Sequence, residues 1–439
     1  VFDRRTRPEP TMRRPLARPL LPLPAAIGAA FAAALATGAR PAAAEEAAPP
    51  PPAPGAEATV PPTEAPAAEP PAPPATPAAP GPALTPVGLG VDLIPGVGTS
   101  KTWRGADRRS LSVGGITWSG EVDGVELTVI GGLIAGDLSG GQAGLAGLVG
   151  GDVQGVQAAA FGTFAGGEVD GAQLAGGANI AGGRVDGLQA AGGGNLSAGG
   201  VDGYQLAGGG NLAVDGVRGL QAAGAANLAR GGVDGAQIAG GVNLADEVDG
   251  AQIGTVNVAS GDVDGVQIGL INIARNSDAS IGLINVITEG RTHVDLWQAE
   301  SGYGQIALKH GGRYLHNLYG VGYRPWGPCP EWSVLLGIGG HSPVGKRLFV
   351  DTDLIAQHIS PAGGLLVATN ELLTARAVLG VKLVDRLALT AGLSGNALLS
   401  TVQDGSQYAD GAWAGFHTVS EDGLHTRGWS GWTVGVQLF

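Results

Sequence analysis

The sequence predicts an all-β protein: a parallel β-solenoid of coils of about 16 residues, followed by an antiparallel β-barrel-like domain. Three observations carry this. Glycine supplies 79 of 439 residues, and each interior glycine costs a helix about 1 kcal/mol. Glutamine, asparagine and valine recur in three phased rows through the middle of the chain. Beyond them, apolar and polar residues alternate with period two, as in strands with one buried face.

Proline divides the chain. Seven prolines fall in residues 1–44, sixteen in 45–86 and six beyond. Residues 1–44 read as an over-extended start plus a signal peptide. Met12 is the expected initiator, Arg13, Arg14 and Arg18 make a positive segment, residues 20–36 an apolar one, and Ala42, Ala43 and Ala44 a cleavage site before Glu45. Residues 45–86 are Pro, Ala and Glu with few large apolar side chains, too little to offset ordering entropy. They predict a disordered, extended Pro/Ala-rich linker. Residues 87–119 predict β structure that caps the solenoid or joins the barrel.

Residues 120–287 hold 44 of the glycines, with 17 acidic and 4 basic residues. The consensus is V-D-G-x-Q-x-A-G-G-x-N-x-A followed by a short turn. A helical pair needs about 33 residues per repeat. A 16-residue period fits two short strands and two turns, one coil of a flattened solenoid. Turn chemistry is the same at every step, which favours parallel coils over an up-and-down meander. Ala172/Leu174, Leu188/Ala190, Leu220/Ala222 and Ala236/Ile238 pair small with large around each Gln, the pattern of a narrow core filled at constant volume. Tyr204/Leu206 breaks that pattern and predicts a wider coil.

Two rows invite a ladder. Gln173, Gln189, Gln205, Gln221 and Gln237, with Asn179, Asn195, Asn211, Asn227 and Asn243, are expected to stack as amides that hydrogen-bond from coil to coil. Asp170, Asp186, Asp202, Asp234, Asp249 and Asp264 form a third column. Asp-Gly is a turn dipeptide, which alone accounts for the column. The alternative is weak Ca²⁺ binding that relieves stacked carboxylates; Arg218 interrupts the row and screens it without a metal.

The segments V-D-G-V-Q-I-G-L-I-N-I-A (residues 263–274) and I-G-L-I-N-V-I (residues 281–287) resemble the tandem G-x-Q-x-A-G-L-x-N-x-A units of a bacterial surface-repeat-containing protein family. That family places a β-rich segment after the repeats, similar to Y-G-V-G-Y at residues 319–323. The resemblance spans about residues 87–340 and implies a cell-envelope location with no known catalytic residue. Most coils here carry Gly-Gly where the family has Gly-Leu.

Residues 288–439 predict an antiparallel β-domain of about seven strands. Leu373, Ala375, Ala377, Leu379, Val381 and Leu383 share one face, with Thr374, Arg376 and Lys382 opposite. Leu348, Val350, Leu354 and Ala356 likewise oppose Arg347, Asp351, Asp353 and Gln357. Strands near ten residues long with one apolar face suit an outer-membrane barrel, with Trp326, Trp332, Trp429 and Trp432 as an aromatic girdle. Trp432, Val434, Val436 and Leu438 are out of phase with the terminal Phe439. Residues 400–428 read as a long polar loop.

Little chemistry is legible. The net charge of −13 argues against nucleic acid. The single cysteine, Cys329, excludes an internal disulfide framework and a cysteine-based zinc site. The seven histidines fit no metalloprotease spacing. Asp351, Asp353 and Arg347, with His358 opposite, are the nearest approach to a catalytic cluster, and a lumenal hydrogen-bonded network is the plainer reading. The sequence thus predicts no enzyme, no catalytic residue and no cofactor. It predicts an exported structural or adhesive protein of a Gram-negative-type outer membrane or cell surface, whose partners are the outer membrane or another envelope component and a surface ligand. A channel or transporter is the alternative, and a carbohydrate-active β-helix enzyme a disfavoured third.

Overall fold

The computed structural model describes residues 84–99, 107–326, 330–360, 370–409, 413–421 and 423–439. The expected signal peptide, nearly all of the proposed linker and Cys329 lie outside these residues. The described chain is all-β, a parallel solenoid and a closed antiparallel barrel.

Each solenoid coil comes from the repeat directly. In one, Val169–Ala175 forms a long strand, glycines 176 and 177 turn the chain, Ala178–Ala181 forms a short strand, and residues 182–184 return it to Val185. Equivalent strands pair in parallel, so Gln173 lies beside Gln189 and Asn179 beside Asn195. The first four coils run as single bent strands, Asp107–Ser119, Glu121–Ile134, Leu138–Val149 and Val153–Ala165. Later coils split into two strands each, ending at Ile284–Ile287. Thr85–Ile94 pairs in parallel with the first coil. The segment ahead of the repeats therefore caps the solenoid and does not join the barrel.

The core differs from the sequence expectation in which residues it holds. Val169 and Ala181 are buried beside the 182–184 turn, while Gln173 and Asn179 are fully buried beside the 176–177 turn. The Leu/Ala pairs that flank each Gln point outward instead: Leu174 is 38% exposed and Ile238 42%. Tyr204 and Leu206 are also outside, and their strand keeps the register of both neighbours, so the coil is no wider. Stacked amides satisfy one another only when they line up inside; an outward leucine still 38% exposed forgoes about 1 kcal/mol of burial and leaves no polar group unpaired.

Asp-Gly is likewise not the turn. Asp170 and Gly171 lie within the long strand. Gly171 has φ 135°, and a Cβ there would stand 2.0 Å from the carbonyl oxygen of Gly155. Only glycine fits a left-handed backbone pressed against the preceding coil.

Among the described residues nine strands follow, against about seven expected. Arg291–Ala299, Gly304–Gly311, Leu315–Arg324, Glu331–Pro343, Leu348–Ser360, Asn370–Val384, Leu387–Ser400 and His425–Leu438 pair antiparallel in turn. The register Val294↔Leu438 to Ala299↔Thr433 closes them into a barrel of eight strands. The ninth strand, Gly415–Val419, pairs with residues 425–429, so the expected polar loop carries a hairpin. It also holds the 3-10 turn Ser406–Tyr408.

The wall is inside-out relative to a soluble protein. Asp295, Lys309, Asp351, Asp353, Gln357, Arg376 and Gln437 are buried in the lumen. Leu308, Val334, Leu336, Leu354, Leu379, Leu389, Leu393 and Val434 are exposed outside. Trp326 and Trp332 are exposed near strand ends, whereas Trp429 is 4% exposed and points inward, which removes it from any girdle. Phe439 turns its ring into the end of the barrel, 4.4 Å from His293 and 6.0 Å from Phe349. Its phase break with Val434, Val436 and Leu438 is that turn.

The last coil packs on the barrel. Arg313 and Tyr314 backbone N–H groups donate to Ser277 and Asp278 carbonyls, and Tyr319 Oη donates to Leu283 O at 2.6 Å. The solenoid's open edge is thereby paired at its C-terminal end.

Candidate functional site

Two buried amide columns run through the solenoid, Gln from Gln142 to Gln267 and Asn from Asn179 to Asn285. Each Gln donates backward, Gln173 Nε2 to Gln157 Oε1 at 2.8 Å and Gln189 Nε2 to Gln173 Oε1 at 2.7 Å, and so on through Gln267. Each Asn donates forward, Asn179 Nδ2 to Asn195 Oδ1 at 2.8 Å, through Asn227 and Asn243 to Asn285. The two chains of dipoles are therefore opposed. Asn179 Nδ2 also donates to Gln173 O and to Ala190 O, which fixes the Gly-Gly turn and ties it to the next coil.

Both columns end on polar groups that terminate their polarity. Gln142 Nε2 donates to the fully buried Glu126 carboxylate at 2.8 Å, and Thr117 Oγ1 donates to its other oxygen at 2.7 Å. Glu126 stands where the amide donors point, at the positive end of the column. The Asn column passes from Asn285 Nδ2 to Asn317 Oδ1 on the barrel wall. Beyond Glu126, Arg109 is fully buried with Nη1 2.7 Å from Asp92 and Nε 2.8 Å from Asp107. Burial opposes its charge, but the bonds to Asp107 and Asp92 outweigh it and raise the guanidinium pKa above its ordinary value.

The Asp column stands outside at the opposite edge. Asp170, Asp186, Asp202, Arg218, Asp234, Asp249 and Asp264 pair in register. Arg184 Nη2 lies 2.7 Å from Asp202 and Arg218 Nη1 3.6 Å from it, so arginines interleave with the carboxylates. Among the described residues no group of three or more His, Cys, Asp or Glu side chains converges to hold a metal ion.

The barrel lumen holds the densest charge. Lys309 Nζ lies 3.0 Å from Asp295, 2.8 Å from Asp351 and 3.1 Å from Asp353. Arg376 Nη2 lies 2.7 Å from Asp353 and 3.3 Å from Asp295, with its guanidinium over the Trp297 ring. His316 Nε2 is 2.8 Å from Asp353, and His341 Nδ1 is 2.7 Å from Asp351. Asp351 and Asp353 do meet, as their shared strand face implies. His358 is on the outer wall, bonded to Glu371, and does not join them.

Both ends of the lumen are filled. At one, Phe349, Phe439 and His293 pack together. At the other, Tyr408 is fully buried against Tyr303, Ile359, Leu372, Leu398 and Trp429, and its hydroxyl donates to Glu331. Carboxylates so engaged by cations, buried in the lumen, can brace a barrel.

Lys309, Asp295, Glu126 and Arg109 escaped sequence reasoning. Glu126 had a signal: it falls 16 residues before Gln142, in phase with the glutamine row. The lumenal partners come from different strands, and no spacing links them. No family model, curated protein or solved structure matches the chain.

Proposed function

We propose that this is a non-enzymatic envelope protein. Its barrel is seated in an outer membrane and anchors a rigid acidic β-rod that serves in surface structure or adhesion; the surface-repeat family its motifs resemble implies an envelope location. One observation carries the reading: charged side chains line the inside of the barrel while leucine and valine cover the outside. Water favours the opposite arrangement, and a bilayer favours this one. On outward positions of the eight closing strands, Glu371 is the single carboxylate, ammonium or guanidinium among the described residues, and it is tied to His358. The export leader expected in residues 1–44 agrees. The plugged ends and the Lys309–Arg376 network favour an anchor over a conduit.

The test is expression in a Gram-negative cell with membrane fractionation. The chain is expected in the outer-membrane fraction, released only by detergent, with a folded band that shifts on boiling. It is also expected to give no conductance in a planar bilayer. A product recovered wholly in the soluble fraction refutes the membrane seat; steady single-channel currents refute the anchor.

A further inference from the structure

We infer that the solenoid lies along the bilayer surface, with one edge among the lipid chains and the other in water. This rests on the membrane seat proposed for the barrel and goes beyond it. The first ground is charge segregation. Every charged side chain of residues 120–287 except the buried Glu126 falls on the edge bearing the Asp column and the 182–184 type of turn. The opposite edge, through residues 158–163, 174–178, 190–194, 206–210, 222–226 and 238–242, has no charged residue. It exposes Phe161, Leu174, Leu206, Ile238, Leu270 and Leu283 instead. Large and small side chains alternate there, opening an apolar groove of about 950 Å³ along several coils. An apolar strip of this length, free of charge, is costly in water and suited to an interfacial seat.

The second ground is how the last coil docks. Its uncharged turn, at Gly282 and Leu283, bonds to Asn317 and Tyr319 partway up the barrel wall. There Ile281 and Leu283 share an apolar cleft of about 1130 Å³ with Leu336, Leu354 and Leu373. Its charged edge, at Ser277 and Asp278, bonds instead to Arg313 and Tyr314 in the hairpin at the barrel's end. The uncharged edge is thus level with the apolar wall, and the acidic edge level with the rim. In-register pairing carries that orientation from coil to coil. The lipid-facing surface of the barrel continues onto the rod.

The test uses the full chain in phosphatidylcholine vesicles. Cys329→Ser removes the single native thiol. Exposed positions then receive one nitroxide each: Leu174→Cys or Ile238→Cys on the uncharged edge, Asp170→Cys or Asp234→Cys on the acidic edge, and Leu354→Cys on the barrel wall. Power saturation compares dissolved oxygen with a water-soluble nickel chelate. Labels at 354, 174 and 238 are expected to show several-fold higher oxygen-to-nickel accessibility than those at 170 and 234. If 354 is lipid-exposed while 174 and 238 match 170 and 234, the rod stands clear of the bilayer; this inference fails and the membrane seat survives. If 354 is itself nickel-accessible, both fail. If 174 and 238 are shielded from both reagents and couple between chains, a second copy covers that edge, and lipid does not.

Discussion

Replacing Gln205 by leucine probes the amide column at its centre. Gln205 is fully buried, donates to Gln189 Oε1 at 2.7 Å and accepts from Gln221 Nε2 at 2.7 Å. Leucine nearly matches its volume but makes neither bond. Gln189 Oε1 loses its donor, and Gln221 Nε2 keeps only Leu228 O at 3.5 Å. Each buried polar group left unpaired costs about 1–3 kcal/mol. The apolar side chain returns about 1 kcal/mol of that, roughly one methylene's worth of transfer. The net expectation is about 3 kcal/mol of local destabilisation. In a solenoid this falls chiefly on the coils that touch the site. Hydrogen exchange read by mass spectrometry should therefore show amides of residues 185–197 and 217–229 opening about 100-fold faster, since 1.4 kcal/mol is tenfold. Distant coils and the barrel should be little changed. A change below about fivefold in those neighbours, under ~1 kcal/mol, would mean that the column is not what holds the coils in register.

Four further outcomes follow from the same geometry. Glu126→Leu removes the acceptor of both Gln142 and Thr117 and should loosen the first coils, whereas Glu126→Gln, which still offers one amide oxygen, should keep much of their exchange protection. Gly203→Ala forces a side chain onto φ 133° and a Cβ 2.1 Å from Gly187 O, costing about 3 kcal/mol by thermal melting; Gly395→Ala, with open space around it, should melt like the parent. Lys309→Met leaves Asp295, Asp351 and Asp353 facing one another and should cost about 3–5 kcal/mol, seen as conversion of the folded gel band at lower temperature. Asp404 accepts from the N–H and hydroxyl of Ser406, which hold its pKa below the usual carboxylate value. Its folded pKa is depressed, so its contribution is present above the unfolded value of about 3.9 and is lost as pH falls through the folded one. Exchange across residues 404–409 should rise on acidification, and Asp404→Ala should flatten that response.

Much of this fold was legible. The period set the coil, and the Gln and Asn rows set its stacking, because identical residues every 15 or 16 positions align only in parallel coils. Which parity faces inward was not legible. Hydrophobicity alone places Leu174 and Ile238 inside and Gln173 outside; the reverse holds because an amide column satisfies itself only as a whole. The Asp-Gly dipeptide misled for a related reason: its glycine answers to the neighbouring coil, not to a turn. In the barrel, the alternation around Arg376 and Asp353 gave the two faces. Closure was hidden, since Val294 pairs with Leu438 from the far end of the domain. Of the charge cluster, Asp351 and Asp353 were legible on one strand face, whereas Lys309 and Asp295 come from other strands and share no local pattern with them.

The opposed directions of the two amide files have a consequence for length. A single file would leave an uncompensated dipole that lengthens with every turn. Here each added turn contributes two contrary steps, and the tips see nearly the same field whatever lies between them. One more sixteen-residue unit would extend the reach by about 4.8 Å, leaving Glu126 at one terminus and Asn317 at the other as suited to their tasks as before. The architecture is a ruler whose graduations can be inserted or removed without refitting its ends.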